Sequence, residues 1–543
     1  MKRKKITAIL LASLMGISTV PANVWAADSY KETEKAAITK AIQEICAEYA
    51  EDLSQIQDEL KGNADIKLSL DDGGKAILGM LSSVDISWLQ DVSLTSNVGM
   101  KESGLTELMD VNVNGTKICT VEYYIDTASS EIYMRIPELN DGYIKMNLED
   151  MTEEAQDELD EADQSFSASM DVSEAISSYF SSLENLPAAD VLETVLTRYT
   201  GVILDNVADQ EGTGAQAETA GGVSQELTML EGHVTQKEAQ PMLLAVIDAA
   251  KEDEELKGLI ETWTAALNDP AYTYDAFLDA LGSLEEEISG PLDDTDGSGF
   301  ILRAWVDENG EVVGRQVAAT DGDGSEQNFL RYLCTSDGDN RGLSIQIDGN
   351  SEDIVLEGSG ILSGDLLNGT YTISSDGTEA AVIDVADYDT KAMEEDMWKA
   401  TYTISGAQIT DEDGYTYDTL GGLQVVVGFD AEDKDNATIS LSVLTGGASL
   451  GTLIITGGDK GEGVTPLDIA SLTDVYDFSV DADVESYGAS INLDAITANL
   501  TAAGMPDGFL DSLMGTEEDS TAEEDATTDM AGDTLDSTEE PAA

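Results

Sequence analysis

Apolar positions along the chain alternate between two periods. Ile38, Ile42, Ile45, Tyr49, Leu53, Ile56 and Leu60 recur every three or four residues, and Cys46 borders the stripe. That spacing is one face of an α-helix, so a helix over 27–62 is expected to lay this face on a sheet. The period then becomes two. Cys119, Val121, Tyr123 and Ile125 share one strand face. Ile132, Met134 and Ile136 share another, and Ile144, Met146 and Leu148 continue the pattern. Short alternating runs, with turns at Thr127–Ser130 and Asn140-Asp141-Gly142, predict an antiparallel meander over 63–150.

Helical spacing dominates 151–298. Val172, Ile176 and Tyr179 begin one stripe, and Val191, Val195 and Leu196 another. Leu244, Ile247, Leu259, Ile260, Trp263 and Leu267 follow, then Phe277, Leu278, Leu281, Leu284 and Ile288. Within this region the low-complexity stretch 208–222 reads as a flexible linker. Thr235 and Glu238 fit a capping box, with Pro241 limiting the regularity of the helix start.

Strand alternation returns over 299–458. Phe300, Leu302, Ala304 and Val306 lead through Asp307-Glu308-Asn309-Gly310 into a return strand, a hairpin pattern. Leu343, Ile345 and Ile347 follow, and later Leu423, Val425, Val427 and Phe429, then Ile439, Leu441 and Val443. Spacings of about 8–12 residues predict a large antiparallel sheet. A closing segment, 459–514, ends in a helix carrying Leu493, Ile496 and Leu500. The stretch 515–543 is acidic, has no Lys or Arg, and reads as a disordered tail. The fold class expected is α+β: one or two large curved antiparallel sheets, half-barrel-like, packed against helices.

The first 26 residues change the picture. Lys2, Arg3, Lys4 and Lys5 precede an apolar run from Ile6 to Val20, and Val24-Trp25-Ala26 supplies small residues at a cleavage site. This is a secretory signal peptide pattern, too short to span a bilayer. No cysteine sits at the exit for a lipid anchor, so a soluble mature chain from Ala27 is expected outside the cytoplasm, secreted or associated with the cell envelope.

Charge excludes partners. The formal charge of −83 becomes −87 once the four basic leader residues are gone. Nucleic acid and anionic membrane would both be repelled, and strong self-repulsion favours a monomer. Hydrophobic residues make up 41% of the chain, enough for a core. Cys46, Cys119 and Cys334 allow at most one internal bridge.

Catalytic chemistry is sparse. His233 is the single histidine, so zinc motifs needing two are excluded. Gly447-Ala448-Ser449-Leu450-Gly451 matches the nucleophile-elbow spacing, but a further strand follows it and the histidine precedes it, so it reads as a hairpin. Asp293, Asp294 and Asp296, then Asp321 and Asp323, then Asp337, Asp339 and Asn340 offer oxygen ligands on loops. None completes an EF-hand spacing. No catalytic, metal or cofactor residue is assigned.

The hairpin from Phe300 to Val313 resembles segments of uncharacterised exported proteins of Gram-positive gut bacteria, and so does Val475-Tyr476-Asp477-Phe478 with the helix after it. Those proteins are often lipoproteins; this chain lacks their anchor cysteine. The order of elements also resembles the lipoprotein-carrier fold, in which a curved sheet wraps around helices. That resemblance implies an apolar groove. The function expected is a non-catalytic extracytoplasmic binding protein for a lipid or other apolar ligand. A cell-envelope interaction module is the alternative, and a carboxylate-dependent hydrolase comes third.

Overall fold

One hydrogen-bonded path runs through twenty strands. The computed structural model describes residues 29–509, apart from 148–186 and the short stretches 59–60, 83–84, 102–103, 127–128, 130, 268–272, 291–297, 322, 349–352, 396, 411–414, 434–435, 459–463 and 465–466. The leader, the stripe at Val172–Tyr179, the aspartates at 293, 294 and 296, and the acidic tail lie outside the described residues.

Helix α1 (Tyr30–Asp58) leads to β1 (Lys61–Leu70). Helix α2 (Asp72–Ser82) follows, then β2 (Asp91–Lys101), β3 (Gly104–Val113), β4 (Thr116–Asp126), β5 (Glu131–Arg135) and β6 (Tyr143–Asn147). Helix α3 (Ala189–Asp205) precedes the hairpin β7 (Ala208–Ala220) and β8 (Val223–Thr235). Helices α4 (Gln236–Glu252), α5 (Glu254–Leu267) and α6 (Tyr274–Ser289) come next. A long meander then runs through β9 (Gly299–Val306), β10 (Val312–Thr320), β11 (Glu326–Asp337), β12 (Asn340–Asp348), β13 (Asp353–Ser363), β14 (Leu366–Ser375) and β15 (Thr378–Asp389). After the short α7 (Thr390–Glu394) come β16 (Lys399–Gly406), the small hairpin β17 (Gln408–Thr410) and β18 (Thr416–Asp418), then β19 (Leu423–Asp433), β20 (Asn436–Thr445) and β21 (Ala448–Gly458). The described chain closes with β22 (Val475–Asp477), α8 (Asp481–Ser490) and α9 (Asp494–Ala502).

The two meanders are one sheet. From β7 to β16 neighbours in sequence pair in turn. β16 pairs β19, and the path continues through β20 and β21. β21 then pairs antiparallel with β1, setting Leu453 beside Leu68 and Ile455 beside Ile66. β2 to β6 follow, and the only parallel pairing among the described residues adds β22 to β6. The sheet is curved and does not close.

The stretch 208–222, expected as a flexible linker, is instead β7 and its turn. Gly221 and Gly222 take positive φ of 53° and 79°, as a tight two-residue hairpin requires. Its polar, small-residue composition hides the strand, because its stability comes from docking. Thr335 donates to the carbonyls of Ala220 and Val223, and Gly221 lies so close to the Gly358 carbonyl that a Cβ would be 1.7 Å from it. The region expected to be mainly helical therefore holds the β7–β8 hairpin, and α2 interrupts the first meander.

Register assigns the faces. On β9, Phe300, Leu302, Ala304 and Val306 point to one side, where α1, α3, α4 and α6 pack on them through Ile38, Ile42, Ile203, Leu204, Met242, Ile247 and Ile288. Trp305 points to the other side, where Ala220 and Leu227 of the folded-back hairpin meet Leu333. Helices thus cover the inner face of β8–β11, and the hairpin tip covers the outer. On α1 the buried stripe is Tyr30, Glu34, Ala37, Ile38, Ala41, Ile42 and Cys46, while Ile45 is exposed. Cys46 therefore belongs to the core rather than its border. The small Ala37 and Ala41 let the helix approach the sheet.

Candidate apolar binding trough

Beyond β11 the inner face continues with its apolar side chains partly exposed. Following the register from β12 to β20, one row reads Leu343, Gly358, Tyr371, Ile383, Ile404, Val425 and Val443. The next row reads Val385, Tyr402, Val427, Leu441, Leu453 and Leu68. The outer face of the same strands is mostly polar, with Val355, Ile361, Val382, Val426 and Ile454 interspersed. Ser442 bonds Thr452 at 2.8 Å and Thr438 bonds Thr456 at 3.0 Å across β20 and β21. In a soluble sheet with one covered face, the apolar side should be the buried one. Here Leu68 is 42% exposed and Leu441 37%. Among the described residues no helix makes extensive contact with β12–β16, β19 or β20. A contiguous apolar surface of this kind is a binding surface or an aggregation hazard.

Both ends of this surface are walled. At one end stands the helical group on β8–β11. At the other, Trp88, Leu89, Ile496, Leu500 and Ala503 pack on Val92 and Val113, and Trp88 meets Phe509 edge-on at 5.4 Å. Asn114 organises that wall. It and Gly115 form the β3–β4 turn with positive φ. The Asn114 side chain donates to the carbonyls of Trp88 and Ala503, at 2.9 and 2.6 Å, and accepts from the Gln90 and Asp91 amides. Helix α1 is 29 residues long, so about 43 Å, and its first turns pack on β8–β10, where Glu34 meets Arg315.

The floor has a glycine-lined trench and an aromatic group. A Cβ on Gly358 would meet the Tyr371 ring at 2.8 Å, and one on Gly360 would meet Leu367 at 2.9 Å. Tyr371 therefore lies across Gly358 and is itself buried, at 8% exposure. Tyr388 reaches the same face through a bulge: β14 advances two residues from Leu367 to Gly369 while β15 spans three from Val385 to Tyr388. Asp387, at φ 53° and held by Asn368, supplies the extra residue; without it Tyr388 would point outward. Tyr402 meets Phe429 edge-on at 6.1 Å, and Trp398 meets Phe429 at 5.7 Å. Burial pushes the phenols of Tyr371, Tyr388 and Tyr402 above their usual range. Neighbouring phenols add to the rise at Tyr371 and Tyr402, and Cys334 adds to it at Tyr371.

The residues singled out from sequence do not converge. His233 lies within β8 on the outer face, paired with Ala208 and Ile301. Ser449 follows the Gly446-Gly447 turn between β20 and β21, a strand–turn–strand with no helix, far from His233 in strand order. Asp323 accepts the backbone amide and hydroxyl of Ser325, which hold its carboxyl below the usual range. Asp337, Asp339 and Asn340 form the β11–β12 turn around Gly338 at φ 59°. Among the described residues no group of three or more His, Cys, Asp or Glu is placed to hold a metal. The three cysteines are free thiols. Cys334 is exposed yet walled by protein, and that burial raises its thiol. A separate open cavity of about 560 Å³ lies against α2, between Lys75, Met80 and Ile86.

Trough residues such as Leu441 and Val427 were visible in sequence as strand positions, but not as lining. No helix among the described residues is long and apolar enough to cross a membrane. No known protein-family model and no curated protein matches this chain.

Proposed function

We propose that this chain is a non-catalytic extracytoplasmic binding protein whose trough holds an elongated apolar ligand of lipid type. One observation carries the reading: among the described residues, the apolar side of the sheet through β12–β16, β19 and β20 carries exposed aliphatic side chains, while the other side carries hydroxyl pairs such as Ser442–Thr452 and Thr438–Thr456. Leaving that surface in water costs about 25 cal/mol per Å² of apolar area, so a ligand that covers it gains affinity without specific chemistry. Ligand sites are concave and mostly apolar, and the helical wall and the α9 wall bound this one at each end. The leader pattern in residues 1–26 supports placement outside the cytoplasm.

Native mass spectrometry of protein recovered from a secreting host tests this reading, together with binding of a fluorescent long-chain probe before and after organic extraction. A stoichiometric, extractable adduct, or saturable probe binding abolished by Leu441→Lys with the fold retained, supports it. Bare protein that also ignores the probe overturns it and leaves the trough as a surface for an envelope protein.

A further inference from the structure

Five aromatic side chains gather at one place on an otherwise aliphatic floor. Tyr371, Tyr388, Tyr402 and Phe429, from β14, β15, β16 and β19, register to the inner face, and Trp398, in the chain entering β16, packs on Phe429. Two of these placements need special backbone. Tyr371 lies where Gly358 carries no side chain, and Tyr388 is turned inward by the bulge at Asp387. Trp398 is 53% exposed, an unusual position for indole unless something covers it. The hydroxyls of Tyr371, Tyr388 and Tyr402 make no hydrogen bond among the described residues. The inner-face positions that register through Tyr371 and Tyr402 on β13–β16 and β19 include no charged residue.

This combination selects among head groups. An anionic head would meet a cation on that face only at the β12 end of the row through Tyr402, where Arg341 is already bonded to the Gly338 and Asn340 carbonyls at 2.7 and 2.9 Å, and it would approach a chain of formal charge −83. A positively charged ammonium needs no carboxylate partner, because the faces of Trp, Tyr and Phe attract it. The net charge of the protein draws such a cation in from solution. We propose that the aromatic group is the head-group end of the trough and binds the ammonium of a single-chain cationic amphiphile, whose alkyl tail lies along the rows through Val427 and Leu441. This deepens the trough reading above and rests on it.

The test is calorimetric titration of the full chain with three ten-carbon probes: decyltrimethylammonium, decanol and decyl sulfate. At about 0.5 M salt the Debye length shrinks to about 4 Å, which removes general charge attraction. The expected result is ammonium binding about tenfold tighter than decanol, with decyl sulfate weakest. In Trp398→Leu/Tyr402→Leu the ammonium and decanol affinities should converge to within about twofold, with decanol little changed. Trp398→Leu alone, at a half-exposed position that folding tolerates, should give part of the same convergence. An ammonium preference that survives both variants, or no preference in the wild type, overturns the head-group assignment while leaving the trough reading in place. Failure of all three probes to bind overturns both.

Discussion

Arg315 on β10 donates its Nε to both carboxylate oxygens of Glu34 on α1, at 2.9 and 3.1 Å, with both side chains 1% exposed. The Tyr332 hydroxyl accepts from the same guanidinium. This pair ties the first helix to the sheet at the wall of the trough. Burying two charges is costly, and removing one partner is costlier, about 3–5 kcal/mol, because the other charge stays desolvated. Glu34→Ala should lower unfolding stability in urea by that order. Lys40→Ala, which breaks the exposed Lys40–Glu44 pair, should cost under about 1 kcal/mol. Equal midpoints for the two variants would show that the buried pair does not hold α1.

The glycine trench makes a second prediction. A Cβ on Gly358 would lie 2.2 Å from the Thr370 carbonyl oxygen and 2.5 Å from the Tyr371 Cα, both backbone atoms that cannot move alone. Gly358→Ala should therefore destabilise the chain by about 1–3 kcal/mol, the usual scale of overpacking. Gly282, inside α6, has no atom within 4 Å of its Cβ position. Gly282→Ala should stabilise by about 0.5–1 kcal/mol through helix propensity. Opposite signs in denaturant midpoints check the pair; the same sign in both would sink the steric account.

These particulars show what the sequence could carry. The hairpin at Asp307–Gly310, the capping box of Thr235 and Glu238, and the helix at Leu493–Leu500 were legible because each depends on residues a few positions apart. The strand at 208–220 was not, since its stability depends on Thr335 and Gly358, more than a hundred residues away. The trough was legible only in pieces. Alternation in Leu423–Phe429 or Ile439–Val443 predicts an apolar face, but not that the face is bare. The pairing of β21 with β1, which joins two meanders into one surface, leaves no local mark at all. Tyr388 is the sharpest case: counting by twos from Val385 puts it on the outer face, and only the bulge reverses that.

Acid should act at β5–β6. The Glu131 carboxyl is held below the usual range first by the Lys145 ammonium at 2.7 Å, against the opposing effect of burial, and further by the Tyr133 hydroxyl at 2.9 Å. A carboxyl depressed in the folded state contributes stability above its unfolded pKa and loses it as pH falls through the folded value. Glu131→Gln should cost about 1 kcal/mol at pH 7, allowing for partial solvent screening. The gap from wild type should close as the pH falls below the ordinary glutamate range. Comparing the two proteins at each pH cancels the general relief of repulsion in so acidic a chain. A gap that stays constant down to pH 3 would assign the loss to packing instead.

The bulge at Asp387 separates backbone from side chain in the aromatic group. Its φ of 53° lies in the left-handed region, which Gly adopts freely and Asp at modest cost, while a β-branched residue is strained there by about 1–2 kcal/mol. The Asp387 amide is held by the Asn368 side chain at 3.0 Å, so the turn is clamped from β14. Asp387→Gly should keep the bulge, leave Tyr388 inward and preserve binding of decyltrimethylammonium. Asp387→Val should lower stability by that strain and weaken the ammonium probe more than decanol, because only the aromatic end is disturbed. Valine and glycine variants with the same ratio of ammonium to decanol affinity would show that the bulge serves the sheet and not the ligand.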